Sequence, residues 1–188
     1  SRIRNKEIIC FKRPGAFKQA FERQMKNNSV FLAFCLVLTV QSQALAMELK
    51  TPEFKNNEYI PKKFTYRGGN VNPALMIYDI PSGAKSVALI CDDPDAPGKE
   101  WVHWVIFNIP VIAKIEENSA PGKQGVNDFG RNGYDGPCPP FGTHRYVFKV
   151  YALDTELALE EGISKADLER AMEGHILARA ELTGLYKK

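Results

Sequence analysis

The stretch Gly133-Tyr134-Asp135-Gly136-Pro137-Cys138-Pro139-Pro140-Phe141-Gly142 constrains this chain most. Its glycines and prolines exclude a helix or a central strand, so the backbone there must be a fixed, irregular loop. That loop delivers His144, Arg145 and Tyr146 into the apolar run Val147 to Leu153, which reads as a buried strand. Imidazole, guanidinium and phenol at the mouth of a strand look like the wall of a binding pocket. A second stretch, Asp92-Asp93-Pro94-Asp95-Ala96-Pro97 with His103 soon after, supplies the opposing chemistry. The expectation is that the two stretches meet.

Strands read before and between them. Leu75 to Ile80 stops at Pro81-Ser82-Gly83, Lys85 to Cys91 is nearly continuous in apolar residues, and His103 to Ile109 ends at Pro110. Lys62 to Tyr66 reads as extended and closes at Arg67-Gly68-Gly69-Asn70. Residues 116–143 have little periodicity, and a long loop inside a compact domain is often functional. Ser164 with Asp167 forms a capping box before the stripe Leu168, Ala171, Met172 and His175, so a C-terminal helix is expected, with Gly184 as its stop. His175 reads as a core histidine, and Lys165, Glu169, Arg170 and Glu173 as a solvated face. The sum is a mainly β domain with peripheral helices.

The N-terminal part reads differently. Met25-Lys26, the apolar run Val30 to Val40 and the small residues Ala44 and Ala46 form a secretory signal pattern with cleavage after Ala46. Residues 1–24 read as an upstream extension, 25–46 as the signal peptide and 47–188 as one domain. The first 46 residues hold eight Lys and Arg against two Asp and Glu, so the net charge of +3 becomes −3 for the remainder. A general nucleic-acid-binding role loses its support. The expected location is periplasmic or secreted, and no integral membrane segment is expected after cleavage. Of four cysteines, Cys91 and Cys138 remain. An oxidising compartment permits their pairing, but two separate thiols are expected.

Strand alternation puts His144 with Tyr146 and Phe148, Asp93 with Leu89 and Cys91, and His103 with Val105 and Phe107. Each polar residue continues an apolar row at a strand's end. A carboxylate that accepts an imidazole N–H favours the charged ring, whose other nitrogen can donate to an anion. The carboxylates repel a dianion, so a phosphate monoanion or a zwitterionic head group is the better guest. Asp92 alone reads as a turn residue. A metal site on Asp93, Asp95, His103 and His144 lacks a compact ligand signature. A hydrolase built on Cys138 and His144 lacks a helix terminus to activate the thiol. No cofactor is expected.

At these residues the chain resembles the phosphatidylethanolamine-binding protein family, in its bacterial Raf-kinase-inhibitor-like branch. Asp93-Pro94-Asp95-Ala96-Pro97 with His103 resembles the first family motif, and Gly133 to Pro140 with His144-Arg145-Tyr146 the second. The resemblance spans 47–188. It implies an antiparallel, β-sandwich-like (Greek-key) core with peripheral helices. It also implies a surface pocket for phosphate-like anions at Asp93, Asp95, His103, Gly136, His144 and Tyr146, flanked by Trp101 and Pro137. The implied function is a non-enzymatic binder of a phosphate-bearing small ligand or phospholipid head group. The alternative is a protein-interaction module that inhibits a protease or modulates a kinase or sensor. A homodimer is a further expectation to test.

Overall fold

The computed structural model describes residues 46–188. Residues 1–45, on which the expected upstream extension and nearly all of the expected signal peptide fall, lie outside the described residues. The strands are β1 (Glu48–Lys50), β2 (Glu58–Tyr59), β3 (Leu75–Tyr78), β4 (Ser86–Asp93), β5 (Trp101–Ile109), β6 (Lys114–Ile115), β7 (Lys123–Gln124), β8 (Thr143–Leu153) and β9 (Ile176–Lys187), with helix α1 (Lys165–Met172) before the last. Six strands form one sheet in the order β2-β9-β8-β4-β5-β7, and three form a second in the order β1-β3-β6. Every pairing is antiparallel except β2 with β9.

Alternation along β4 explains the layering. Val87, Leu89 and Cys91 join Leu49, Ile77 and Ile115 of the small sheet in one core. Ala88 and Ile90 point the other way and join Val105, Phe107, Leu168 and Met172 under α1. β4 is thus buried on both faces along its whole length, as its continuous apolar run requires. The fold is mainly β, two sheets face to face, with α1 on the outer surface of the larger one.

Two elements differ from expectation. Lys62 to Phe64 is a 3-10 turn that buries Phe64, where an extended segment was expected. The C-terminal helix ends at Met172 rather than at Gly184. Gly174 follows with φ +79°, a left-handed conformation that glycine adopts without steric cost. Residues 176–187 then form the longest strand, paired with β8 from Thr143↔Lys187 to Leu153↔Ile176. Ala180, Leu182 and Gly184 alternate inward, so the same residues also carry period two, and pairing with β8 decides the outcome. Gly184 is a packing site instead of a helix stop, since a Cβ there would lie 2.4 Å from Ile60.

His175 is exposed and pairs with Asp154 at 2.8 Å, so it is not a core histidine. Lys165 is not part of a solvated face, because its ammonium reaches Asp92 at 2.8 Å. Asp92 is correspondingly a buried strand residue rather than a turn residue. Among the described residues no helix is long and apolar enough to cross a membrane.

Candidate functional site

β4 and β8 are neighbours, and this brings Asp93 to His144. The His144 Nδ1–H donates to Asp93 Oδ2 at 2.7 Å, both groups being buried. Asp93 Oδ1 accepts the Asp95 backbone N–H at 2.9 Å, which closes the turn after the strand. Asp95 itself faces outward. It accepts two bonds from the Arg145 guanidinium at 2.9 and 2.7 Å and one from the Arg145 backbone. The hydrogen bond from the Arg145 side chain is the main reason its carboxyl is lowered to about 2.

His103 arrives by a different route from the one alternation gives. Strict alternation groups it with Val105 and Phe107, which belong to the core under α1. That face is opposite to Asp93 and Tyr146. The register between β4 and β5 runs Cys91↔Trp104 and then Asp92↔Val102, so His103 is the extra residue of a bulge. A bulge re-aims a side chain. The His103 ring meets the Tyr146 ring edge-on at 5.1 Å, on the Asp93 side of the sheet.

The loop after β7 fixes this ring. Asp135 donates its backbone N–H to the His103 carbonyl at 3.0 Å and accepts the His103 Nδ1–H on its own carbonyl at 2.6 Å. A carbonyl can only accept, so Nδ1 carries the proton and Nε2 keeps a lone pair in the neutral ring. Burial lowers the His103 pKa and favours that neutral form. The expected imidazolium therefore does not hold for His103, because its fixed partner is a carbonyl instead of a carboxylate.

A cavity of about 310 Å³ opens between these elements. Its walls include Asp93, Trp101, His103, Phe129, Cys138 and Tyr146. Among the described residues no lysine or arginine lines it. Tyr146 is 1% exposed, and its hydroxyl has no hydrogen-bond partner within 3.5 Å among the described residues. Burial first, and the Asp93 carboxylate second, push its pKa far up, so it stays a phenol. Trp101, Phe129, His103 and Tyr146 follow one another in edge-to-face contacts at 5.5, 5.4 and 5.1 Å. Trp104, by contrast, is a core residue that donates to Gln124.

Four of the eight expected site residues thus line the cavity: Asp93, Trp101, His103 and Tyr146. His144 stands behind Asp93 and is capped by Phe141. Asp95 orients Arg145 at the surface. Gly136 holds the loop against Phe64 and Thr65, where a Cβ would lie 2.2 Å from a backbone oxygen. Pro137 accepts the Tyr66 backbone N–H at 3.1 Å and borders a second, smaller hollow. Two important residues were not singled out from the sequence. Phe129 was hidden in a loop of turn residues. Asp135 stood inside the Gly-Pro stretch, and its acidic side chain among small residues was the available signal.

Cys91 and Cys138 are separate free thiols in this structure. Burial raises both pKa values, that of Cys91 much further. Iodoacetamide near neutral pH should therefore label Cys138 first, at least about tenfold slower than an exposed thiol, and leave Cys91 untouched in the folded protein. Mass spectrometry checks this, and equal labelling of the two would contradict the burial assigned to Cys91.

A family model described as phosphatidylethanolamine-binding protein matches residues 50–187. A UPF0098 protein of Methanothermobacter thermautotrophicus is 52% identical over 150 residues, which is 76% of this chain and 99% of the relative. Another from Pyrococcus horikoshii is 48% identical over 154 residues, 76% of this chain and 78% of that one. Among solved structures, the phosphatidylethanolamine-binding protein homologue CT736 of Chlamydia trachomatis superposes with a TM-score of 0.74 at 43% identity, over 76% of this chain and 98% of its own. E. coli YbcL, described as a member of the mammalian PEBP family, gives 0.71 at 32% identity with the same coverage.

Proposed function

The chain belongs to the phosphatidylethanolamine-binding protein family, and we propose that within it this protein reversibly binds a phosphate-bearing small ligand or phospholipid head group without turning it over. The Tyr146 hydroxyl carries the reading. It is buried, has no partner within 3.5 Å among the described residues and lies on the wall of a cavity that also holds Asp93 and His103. A buried polar group without a partner costs about 1–3 kcal/mol, and a guest that bonds to it recovers that cost. Turnover has little support here. Burial raises the pKa of the Cys138 thiol, and the Nδ1 atoms of His103 and His144 are bonded to the Asp135 carbonyl and to Asp93. The proposed location, periplasmic or secreted, rests on the pattern at 25–46.

Tyr146→Phe tests the reading with two readouts of opposite sign. Removing an unpaired buried hydroxyl should raise stability by about 1 kcal/mol in chemical denaturation. The same change should weaken calorimetric binding of phosphoethanolamine about five- to tenfold. No heat from either inorganic phosphate or phosphoethanolamine with the wild-type chain would sink the proposal.

A further inference from the structure

One side of β9 pairs with β8 over its whole length, whereas the other side meets β2 only at Gly184 and Leu185. Just before them, the Thr183 carbonyl accepts the Asn57 N–H at 2.7 Å, and the Thr183 N–H donates to Asn56 Oδ1 at 2.9 Å. Thr183 thus turns its backbone away from β8, and period two turns Glu181 and Arg179 the same way. Among the described residues no bond reaches the outward N–H and C=O groups of these two. A bulge ends the open stretch, since Ala152↔Ala178 is followed by Leu153↔Ile176.

A hollow of about 410 Å³ lies beside this edge and shares no residue with the ligand cavity. Met47, Leu49, Phe54, Ala180 and Leu182 line it, and all five belong to the core between the sheets. Core side chains that border a hollow forgo dispersion contacts on that side. Ala180 and Leu182 alternate with Arg179 and Glu181, so a strand laid along β9 would direct alternate side chains into the hollow and onto the outer face. On that outer face Arg179 and Glu181 are exposed, and neither has an ionic partner among the described residues. A second copy of the chain does not suit this edge. The antiparallel registers Arg179↔Arg179 and Glu181↔Glu181 set like charges opposite each other. The register that joins Arg179 to Glu181 sets Ala180 against Ala180, and a methyl group does not fill a hollow of this size.

We infer that the open edge of β9 receives an extended segment of another protein as an added antiparallel strand. A large apolar side chain opposite Ala180 fills the hollow, between a basic residue opposite Glu181 and an acidic one opposite Arg179. The backbone rungs of residues 179 and 181 hold the segment, and the hollow with the two charges selects it.

The probe is the peptide acetyl-Val-Lys-Leu-Glu-Val-amide, titrated by calorimetry into the full chain. In the added strand its Lys and Glu direct their N–H groups at the carbonyls of Glu181 and Arg179, and its Leu directs its own N–H away. N-methylation at the peptide's Lys or Glu should weaken binding at least about tenfold, while N-methylation at its Leu should change it less than about threefold. Replacing that Leu by Gly should weaken binding at least about tenfold, because the hollow loses its apolar guest. Arg179→Glu, on the exposed face, should weaken the probe about two- to fivefold, and a peptide with Lys in place of its Glu should recover that loss. Amide hydrogen exchange reads the unaltered chain directly. The Arg179 and Glu181 N–H groups should exchange freely in the protein alone and at least about tenfold more slowly with the probe bound. No heat at millimolar peptide overturns the inference, and so does an equal effect of the three N-methylations. Protection of these two amides before any peptide is added overturns it too, because another strand would already cover the edge.

Discussion

Asp135→Ala lowers the stability of the domain by about 3 kcal/mol and loosens the ligand cavity with it. Asp135 is 2% exposed and uses both carboxylate oxygens. Oδ1 accepts Asn70 Nδ2 at 3.0 Å and a bond from the Arg131 guanidinium. Oδ2 accepts Asn127 Nδ2 at 2.8 Å and Arg131 Nε at 3.1 Å. Asn127 in turn accepts the Phe129 and Arg131 backbone N–H groups on Oδ1. The carboxylate therefore ties the turn at residue 70 to the loop that carries Phe129, while the Asp135 backbone holds the strand that carries His103. The Arg131 side chain is half exposed, so solvent takes over its charge and its share of the loss is small. The larger share comes from the Asn127 amide, which stays buried and loses a charged acceptor. For a domain of this size the loss corresponds to a melting temperature lower by about 6–12 °C. Affinity for phosphoethanolamine should fall more than tenfold, because Phe129 is a cavity wall. A loss below about 1 kcal/mol in chemical denaturation would mean that the backbone alone holds the loop.

The pattern of success in the sequence has physical causes. β4 and β8 are long and apolar, and they announce themselves by composition and alternation. The meeting of Asp93 with His144 follows directly, because both extend inward rows of strands that turn out to be neighbours. His103 reaches the cavity from the face opposite to the one strict alternation assigns it. Its face depends on a bulge, and a bulge is a property of two paired strands that one strand's sequence does not carry. β9 is hard to read from sequence for a related reason. Ile176 to Gly184 supports either period, and the exposed edge of β8 selects the strand. The hidden role of Asp135 is a third case, since its partners at 70, 127 and 131 come together only when two loops close. The charge of the site was the largest correction. Counting histidines beside carboxylates suggested imidazolium donors. The fold instead gives His103 a carbonyl partner and a buried setting, which turns its free nitrogen into an acceptor.

Asp92→Ala should cost about 3–5 kcal/mol while leaving ligand affinity within about twofold, although Asp92 is the direct neighbour of a cavity residue. The two aspartates end β4 on opposite faces. Asp93 serves the cavity, whereas Asp92 Oδ2 accepts the Lys149 and Lys165 ammonium groups, each at 2.8 Å. Glu100 bonds to the same two lysines from a more exposed position. Lys165 opens α1, where the helix dipole disfavours a cation, so Asp92 must offset both that and burial. It does so. Burial alone would lower the Lys165 pKa, yet the hydrogen bonds to Asp92 and Glu100 leave it raised. A lysine with a raised folded-state pKa contributes stability that is present below its unfolded value of about 10.4 and is lost as pH rises through the folded value. Asp92→Ala should therefore remove the part of the alkaline stability loss that Lys165 carries through Asp92, while the parts carried by Glu100, the buried Tyr146 phenol and the Cys91 thiol stay. Lys165→Met should cost only about 1 kcal/mol, since Asp92 keeps Lys149 and the methionine remains beside the apolar base of α1. Hydrogen exchange should locate the damage from Asp92→Ala in α1 and the adjoining end of β4. If binding of phosphoethanolamine fell in proportion to stability, the two faces of the sheet would be coupled, and the separate duties assigned to residues 92 and 93 would not hold.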